Sequence, residues 1–207
     1  MRITPLTAHI GAAVEDIDIT APLDETTRTS LRAALCRRAV LIFRNQALTD
    51  AQQVTFTRAL GPLEPTIPSD PIGDGGPIGV LTNIDAEGHI IPPDDKRVLN
   101  ATPPVVHPLV RTVAETGERA LLVGSYAEKI IDWPSEQDAE LLRELLEWCT
   151  QPQFVYCHRW RTDDLLVYDN RCCLHRGRAW DRAAHARVLH RTTLAGDDSL
   201  KAQCPSS

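Results

Sequence analysis

The chain has 207 residues, 43% of them hydrophobic, and a formal net charge of −6. That length suits one ordinary domain with a real core, and the acidic balance, with its basic residues scattered, argues against nucleic acid or an anionic membrane surface as partner. No run of about eighteen apolar residues is present and Met1 to Pro5 lacks a signal-peptide core, so the expectation is a cytoplasmic protein with no membrane segment.

Taken in chain order, Gly11 to Ile19 alternates apolar and acidic residues from Val14 onward, which predicts a half-buried strand. Asp24 opens a helix to about Arg38, with Leu31, Ala34 and Leu35 on one face. The all-apolar Val40–Leu41–Ile42–Phe43 predicts a buried strand. Thr49 with Gln52 is a capping-box pair, so a second helix starts there and stops at Gly61–Pro62. The stretch from Pro65 to Gly79 is a Pro/Gly/Asp-rich loop, followed by a strand at Ile78 to Leu81 and a turn at Asp85 to Gly88. Ala120 to Val123 is a further strand, and Ser135 begins a helix carrying Leu142, Leu145, Leu146 and Cys149 at helical spacing. Phe154 to Tyr156, Leu165 to Tyr168 and Arg187 to Leu194 are the last predicted strands. Strands late and helices early and between them predict a mainly β domain with helical cover, a β-sandwich or jelly roll.

The six cysteines, Cys36, Cys149, Cys157, Cys172, Cys173 and Cys204, show no CxxC spacing and read as reduced thiols, mostly small core residues. A hydrolase built on Cys172 or Cys173 beside His175 has no nucleophile–base geometry to rest on.

The most informative stretch is Tyr168–Asp169–Asn170–Arg171–Cys172–Cys173–Leu174–His175–Arg176–Gly177, followed by Arg187 and Arg191. One strand delivers an imidazole and a second delivers two guanidinium groups, which on a strand share a face with Leu189 while Val188 and His190 face away. A metal with a dicarboxylate co-substrate calls for that pairing of a neutral nitrogen ligand and a fixed cationic fork. Taken singly, a lone histidine near a strand end is more often a hydrogen-bonded structural residue, and two arginines near a C-terminus are usually surface charges.

The segments GAAVEDIDITAPLD, AVLIFRNQALTDAQQVTFTRALGPLE, LTNIDAEGHI, HPLVRTVAETGERALLVG, FVYCHRWRTDDLLVYDNRCCLHRGR and RVLHRTTLAGD follow one another over most of the chain. Together they resemble the TauD/TfdA family of non-haem Fe(II), 2-oxoglutarate-dependent dioxygenases, nearest to its 2,4-dichlorophenoxyacetate branch. The resemblance implies a double-stranded β-helix (a jelly roll), a metal held by two histidines and one carboxylate, and Fe(II), 2-oxoglutarate and O2 as cofactors. It implies that His175 is an iron ligand and catalytic, that Arg187 holds the far carboxylate of 2-oxoglutarate, and that Arg191 lies near the anionic group of the substrate. Tyr168 stands where the family usually has tryptophan, which keeps an aromatic ring. The implied reaction hydroxylates a small anionic compound, aryloxyalkanoate- or sulfonate-like, with succinate and CO2 as co-products; a homo-oligomer is compatible with it.

One departure is severe. The family's His-x-Asp motif should follow Arg97–Val98–Leu99–Asn100, and no His-x-Asp or His-x-Glu occurs anywhere in the chain. The later Gly–Gly–Asp–Thr segment is missing as well, so the single domain 1–207 is incomplete at the Asn100–Ala101 junction. Three readings stand side by side: a segment of the full protein absent from these 207 residues, a genuine deletion, or a catalytically dead member that binds an anion or a partner. The first is favoured, because deleting strands from a barrel bares edges and apolar faces. It expects the two sides of the junction to lie farther apart than the ~3.8 Å of one trans peptide.

Overall fold

The computed structural model describes residues 1–66, 75–85, 87–90, 105–124 and 127–196. The Asn100–Ala101 junction, Cys204 and most of the loop after Pro65 lie outside the described residues. The strands are β1 (Arg2–Pro5), β2 (Ala12–Glu15), β3 (Val40–Phe43), β4 (Leu63–Glu64), β5 (Gly79–Thr82), β6 (Val110–Thr112), β7 (Arg119–Leu121), β8 (Leu165–Tyr168), β9 (Val188–Arg191) and β10 (Thr193–Leu194). The helices are α1 (Glu25–Arg38), α2 (Asp50–Leu60) and α3 (Ser135–Cys149).

The apolar run at 40–43 forms the heart of the fold. All four residues of β3 are buried, as a strand covered on both faces requires. In the sheet β1-β2-β3-β8, β3 runs parallel to β2 through the α1 crossover and antiparallel to β8, with Val40 opposite Tyr168 and Phe43 opposite Leu165. Ala12, Val14, Ile19, Leu31, Leu41, Phe43, Phe56 and Leu60 make one buried cluster, so both α1 and α2 pack on this sheet. Three two-stranded ribbons complete the described strands: β4 with β10, β5 with β9 and β6 with β7.

Both early helices are capped as the sequence predicts. The Asp24 carboxylate accepts from the Thr27 N–H at 2.6 Å, and Ala39 ends α1 in a left-handed turn. Thr49 and Gln52 form the reciprocal capping box of α2. Gly61 closes α2 through its N–H to the Thr57 carbonyl on extended backbone.

Three expectations are corrected. The strand expected within Gly11 to Ile19 runs from Ala12 and ends at Glu15, because Asp16 turns to φ 56° and Asp18 accepts hydrogen bonds from the Thr20 N–H and hydroxyl. Ile19 still enters the core from the loop. Residues 154–156 are not a strand: Gln151–Pro152 begins a short 3-10 turn over Pro152–Phe154, since proline favours a turn start and denies the ladder a donor. The predicted run from Arg187 to Leu194 is broken at Thr192 into β9 and β10, which pair with different partners. β1 was not foreseen. Its Pro5 is tolerated because β1 is an edge strand.

A buried polar node ties the end of β3 to the start of β8. Asp164 forms an ion pair with Arg44, lies 3.1 Å from His158 Nε2, and accepts from the Arg161 N–H at 2.8 Å. Tyr156 Oη lies 3.4 Å from His158 Nδ1, and the Trp160 ring meets the imidazole edge-on at 4.7 Å. Burial, then the Arg44 charge, pushes the His158 pKa below the usual imidazole value; Asp164 opposes this without overcoming it. The unfolded chain therefore binds a proton on this histidine more readily than the folded chain does. The contribution to stability is complete above about pH 6.5 and falls as pH falls below it, and His158→Gln should flatten that part of the curve. Urea unfolding between pH 5 and 7.5 checks this; an unchanged pH slope in the variant refutes it.

Candidate active site

Asp169 follows β8 at the point where the chain must turn. Its N–H reaches the Ala39 carbonyl at 2.9 Å, and its own carbonyl accepts from the Cys172 and Cys173 N–H groups, both at 3.1 Å. The buried Asp169 carboxylate takes the Arg171 main-chain N–H at 2.9 Å and holds its guanidinium through contacts of 2.8–3.1 Å. Arg171 then reaches Glu115 at 2.9 and 3.1 Å. Asp169 and Arg171 are thus structural, and sequence reading alone did not assign them that work. Burial first, then the Asp169 charge, pushes the Cys172 and Cys173 thiols up to about 12 and about 11, so both stay protonated and inert near neutral pH.

Beyond this knot the chain presents His175, which is exposed. Its ring packs against Tyr168 with centroids 4.5 Å apart, and among the described residues no hydrogen bond occupies either ring nitrogen. Tyr168 also links the imidazole to the second strand. Burial raises the phenol's pKa, while the positive charge of Arg191 acts against that rise. One aromatic ring therefore has the candidate imidazole against it and the candidate arginine within electrostatic reach.

Arg191 sits at the end of β9 opposite Gly79, which carries no side chain. Arg187 precedes β9 and, like Leu189, is half-buried, while Val188 and His190 are exposed; Arg191, expected on the face of Arg187 and Leu189, is exposed as well, so the burial alternation stops at His190. His190 turns instead to Asp50, Nδ1 to Oδ1 2.6 Å, at the start of α2. Among the described residues no carboxylate or carbonyl accepts from the Arg187 guanidinium. A carboxylate brought by a ligand would give this guanidinium a partner.

The sequence matches the Taurine catabolism dioxygenase TauD, TfdA family over residues 2–99 and 92–193. The chain belongs to this family. Its relatives include an alpha-ketoglutarate-dependent 2,4-dichlorophenoxyacetate dioxygenase of Cupriavidus pinatubonensis, 27% identical with 95% of this chain and 98% of the relative covered. A second is an (S)-phenoxypropionate/alpha-ketoglutarate-dioxygenase of Delftia acidovorans, 25% identical with 95% of both chains covered. Among solved structures, AAD-2 with Mn(II) and N-oxalylglycine superposes with a TM-score of 0.81 at 23% identity, covering 98% of this chain and 99% of the other, a likeness of fold. A taurine dioxygenase from Burkholderia xenovorans gives 0.73 at 26% identity, covering 95% and 89%.

TauD/TfdA enzymes are dioxygenases that use Fe(II), 2-oxoglutarate and O2. The alignment with the Cupriavidus relative runs over 292 positions, more than the 207 residues here, so that relative carries sequence with no counterpart in this chain. The two family matches also meet and overlap at residues 92–99. Among the described residues no three His, Cys, Asp or Glu side chains gather to hold a metal ion. Asp169, six residues before His175, is taken by Arg171. The described donor set therefore does not fit a three-ligand iron site by itself. No described helix is long and apolar enough to cross a membrane.

Proposed function

We propose that this protein carries the C-terminal half of an Fe(II)- and 2-oxoglutarate-dependent dioxygenase site, acting on a small anionic organic substrate of aryloxyalkanoate or sulfonate type. In this reading the complete enzyme is a double-stranded β-helix. His175 is one metal ligand, Arg187 clamps the far carboxylate of 2-oxoglutarate, and Arg191 faces the substrate's anionic group. The remaining ligands belong to the His-x-Asp segment that should follow Asn100. The observation that carries this is Arg187, a half-buried residue whose guanidinium has no partner among the described residues, two same-face positions before Arg191, whose charge reaches Tyr168 beside His175.

The residues' own contributions follow from their chemistry. Arginine is planar and always charged, so it can grip a carboxylate with two parallel hydrogen bonds where lysine offers a point charge. Tyr168 packs against the imidazole and limits how its ring can turn. Aryloxyalkanoates carry a carboxylate, and the named Cupriavidus and Delftia relatives act on such compounds, which supports an anionic substrate for Arg191.

The test is a titration of 2-oxoglutarate into the chain. A charge-assisted hydrogen bond contributes about 1.5–3 kcal/mol, so Arg187→Ala should weaken binding by roughly ten- to a hundredfold. Arg191→Ala should leave 2-oxoglutarate affinity near the parent value. Equal affinity in the parent and Arg187→Ala overturns the clamp.

A further inference from the structure

The loop that leads into Arg187 is closed by a residue 104 positions earlier in the sequence. Asn83 follows β5 directly and is 4% exposed. Its amide nitrogen donates to the carbonyls of Arg182 at 3.0 Å and His185 at 2.9 Å. Its amide oxygen accepts the Arg187 N–H at 2.7 Å. The Asn83 main-chain N–H donates to the Arg187 carbonyl at 3.2 Å. Both main-chain groups of Arg187 are therefore bonded to one residue. At the other end of the loop, the Asp181 carboxylate accepts from the Ala183 and Ala184 N–H groups, both at 3.1 Å.

This arrangement asks for asparagine. Two carbonyls need donors and one N–H needs an acceptor, and among short side chains only a primary amide offers two donors together with an acceptor. An aspartate would set a negative charge against two carbonyl oxygens, and an apolar residue would take away the side-chain partner of all three main-chain groups. Regular β5–β9 pairing begins one residue later, at Thr82 opposite Val188. The Asn83 side chain adds a bond to the Arg187 N–H beside the main-chain bond from the Asn83 N–H to the Arg187 carbonyl, and so holds Arg187 from both sides just past the paired strand. A two-point grip on a carboxylate tolerates little angular or positional error, and placing a group on rigid structure is how a fold supplies such accuracy.

We infer that Asn83 is the positioning residue of the 2-oxoglutarate clamp: by bonding the Arg187 N–H and the two carbonyls before it, Asn83 sets the direction in which the Arg187 guanidinium leaves the backbone. This rests on the assignment of Arg187 to the co-substrate's far carboxylate.

A double-mutant cycle on the full 207-residue chain tests it, with 2-oxoglutarate as the probe and ligand-observed NMR as the readout. Asn83→Ala should weaken 2-oxoglutarate by about tenfold, and Asn83→Ala combined with Arg187→Ala should be no weaker than Arg187→Ala alone, because a residue that acts through another has nothing left to position. Where the alanine variant does not fold, Asn83→Asp carries the same cycle, since it keeps an oxygen for the Arg187 N–H but loses both donors. Effects that multiply in the double variant would show that Asn83 only holds the loop, and overturn the proposal. Unchanged binding in the Asn83 variant beside weakened binding in Arg187→Ala also overturns it and leaves the clamp standing. Undiminished binding in Arg187→Ala, or no binding by the parent chain, removes the clamp and the proposal with it.

Discussion

Inserting after Asn100 the segment that the family relatives carry will bring on succinate release from a chain that gives none in its 207-residue form. The reason is ligand count. Affinity for a divalent metal depends on the number and geometry of deprotonated donors. The described residues present the His175 imidazole with no hydrogen bond to either ring nitrogen, and gather no group of three donors. The inserted segment would restore a histidine and a carboxylate, and with them the three-sided ligand set that leaves open positions for 2-oxoglutarate and oxygen. His175→Ala in the restored chain should abolish both Fe(II) retention and succinate formation. The measurement is succinate produced per chain, with Fe(II) content alongside. Equal turnover by the two forms would refute the idea that the site is divided at that junction. A restored, folded chain whose turnover survives His175→Ala would remove His175 from the metal.

The second large effect concerns the frame that presents the site. Phe43→Ala should lower unfolding stability by about 3–5 kcal/mol, the cost of deleting a buried aromatic side chain and leaving a cavity. Phe43 is fully buried and meets Phe56 edge-on at 5.6 Å, joining β3 to α2. It also pairs with Leu165, so the cavity would open beneath the first residue of the strand that carries Tyr168. Against a typical total of 5–15 kcal/mol this is a large share. Urea denaturation of the two proteins measures it; a loss below about 1 kcal/mol would mean that the site can collapse around the gap.

What was legible in the sequence was what neighbouring residues decide among themselves. The α1 and α2 caps rest on contacts between residues three apart, Asp24 with Thr27 and Thr49 with Gln52, and both could be read. The apolar run of β3 needed no knowledge of its partners, since any burial suits it. The failures lie where a local device cut a pattern short or where a distant partner decided. Asp16 and Asp18 stop a strand whose alternation runs on to Ile19. Pro152 turns a stretch that hydrophobicity alone would extend. Asn83 carries no sequence signal of its role, and only the folded chain reveals its bonds to Arg182, His185 and Arg187. For the site itself, His175, Arg187 and Arg191 are assigned through family resemblance alone. The charge of Arg191 acting on Tyr168 was not legible, because no spacing rule relates a residue on β8 to one on β9.

The pairing of β3 with β8 has a consequence for biosynthesis. Arg44 and Asp164, which tie those two strands together just past the pairing, are 120 residues apart. On a ribosome, β1, β2, α1 and β3 emerge early, and N-terminal units tend to assemble first. One edge of the buried, wholly apolar β3 must then wait for β8, on the order of ten seconds at ordinary elongation speeds. Throughout that interval the nascent chain presents an unsatisfied ladder of main-chain groups flanked by hydrophobic side chains, the kind of surface that invites pairing with another chain. Holdase chaperones and the pace of translation between codons 44 and 165 are therefore expected to govern how much of this protein reaches its folded state.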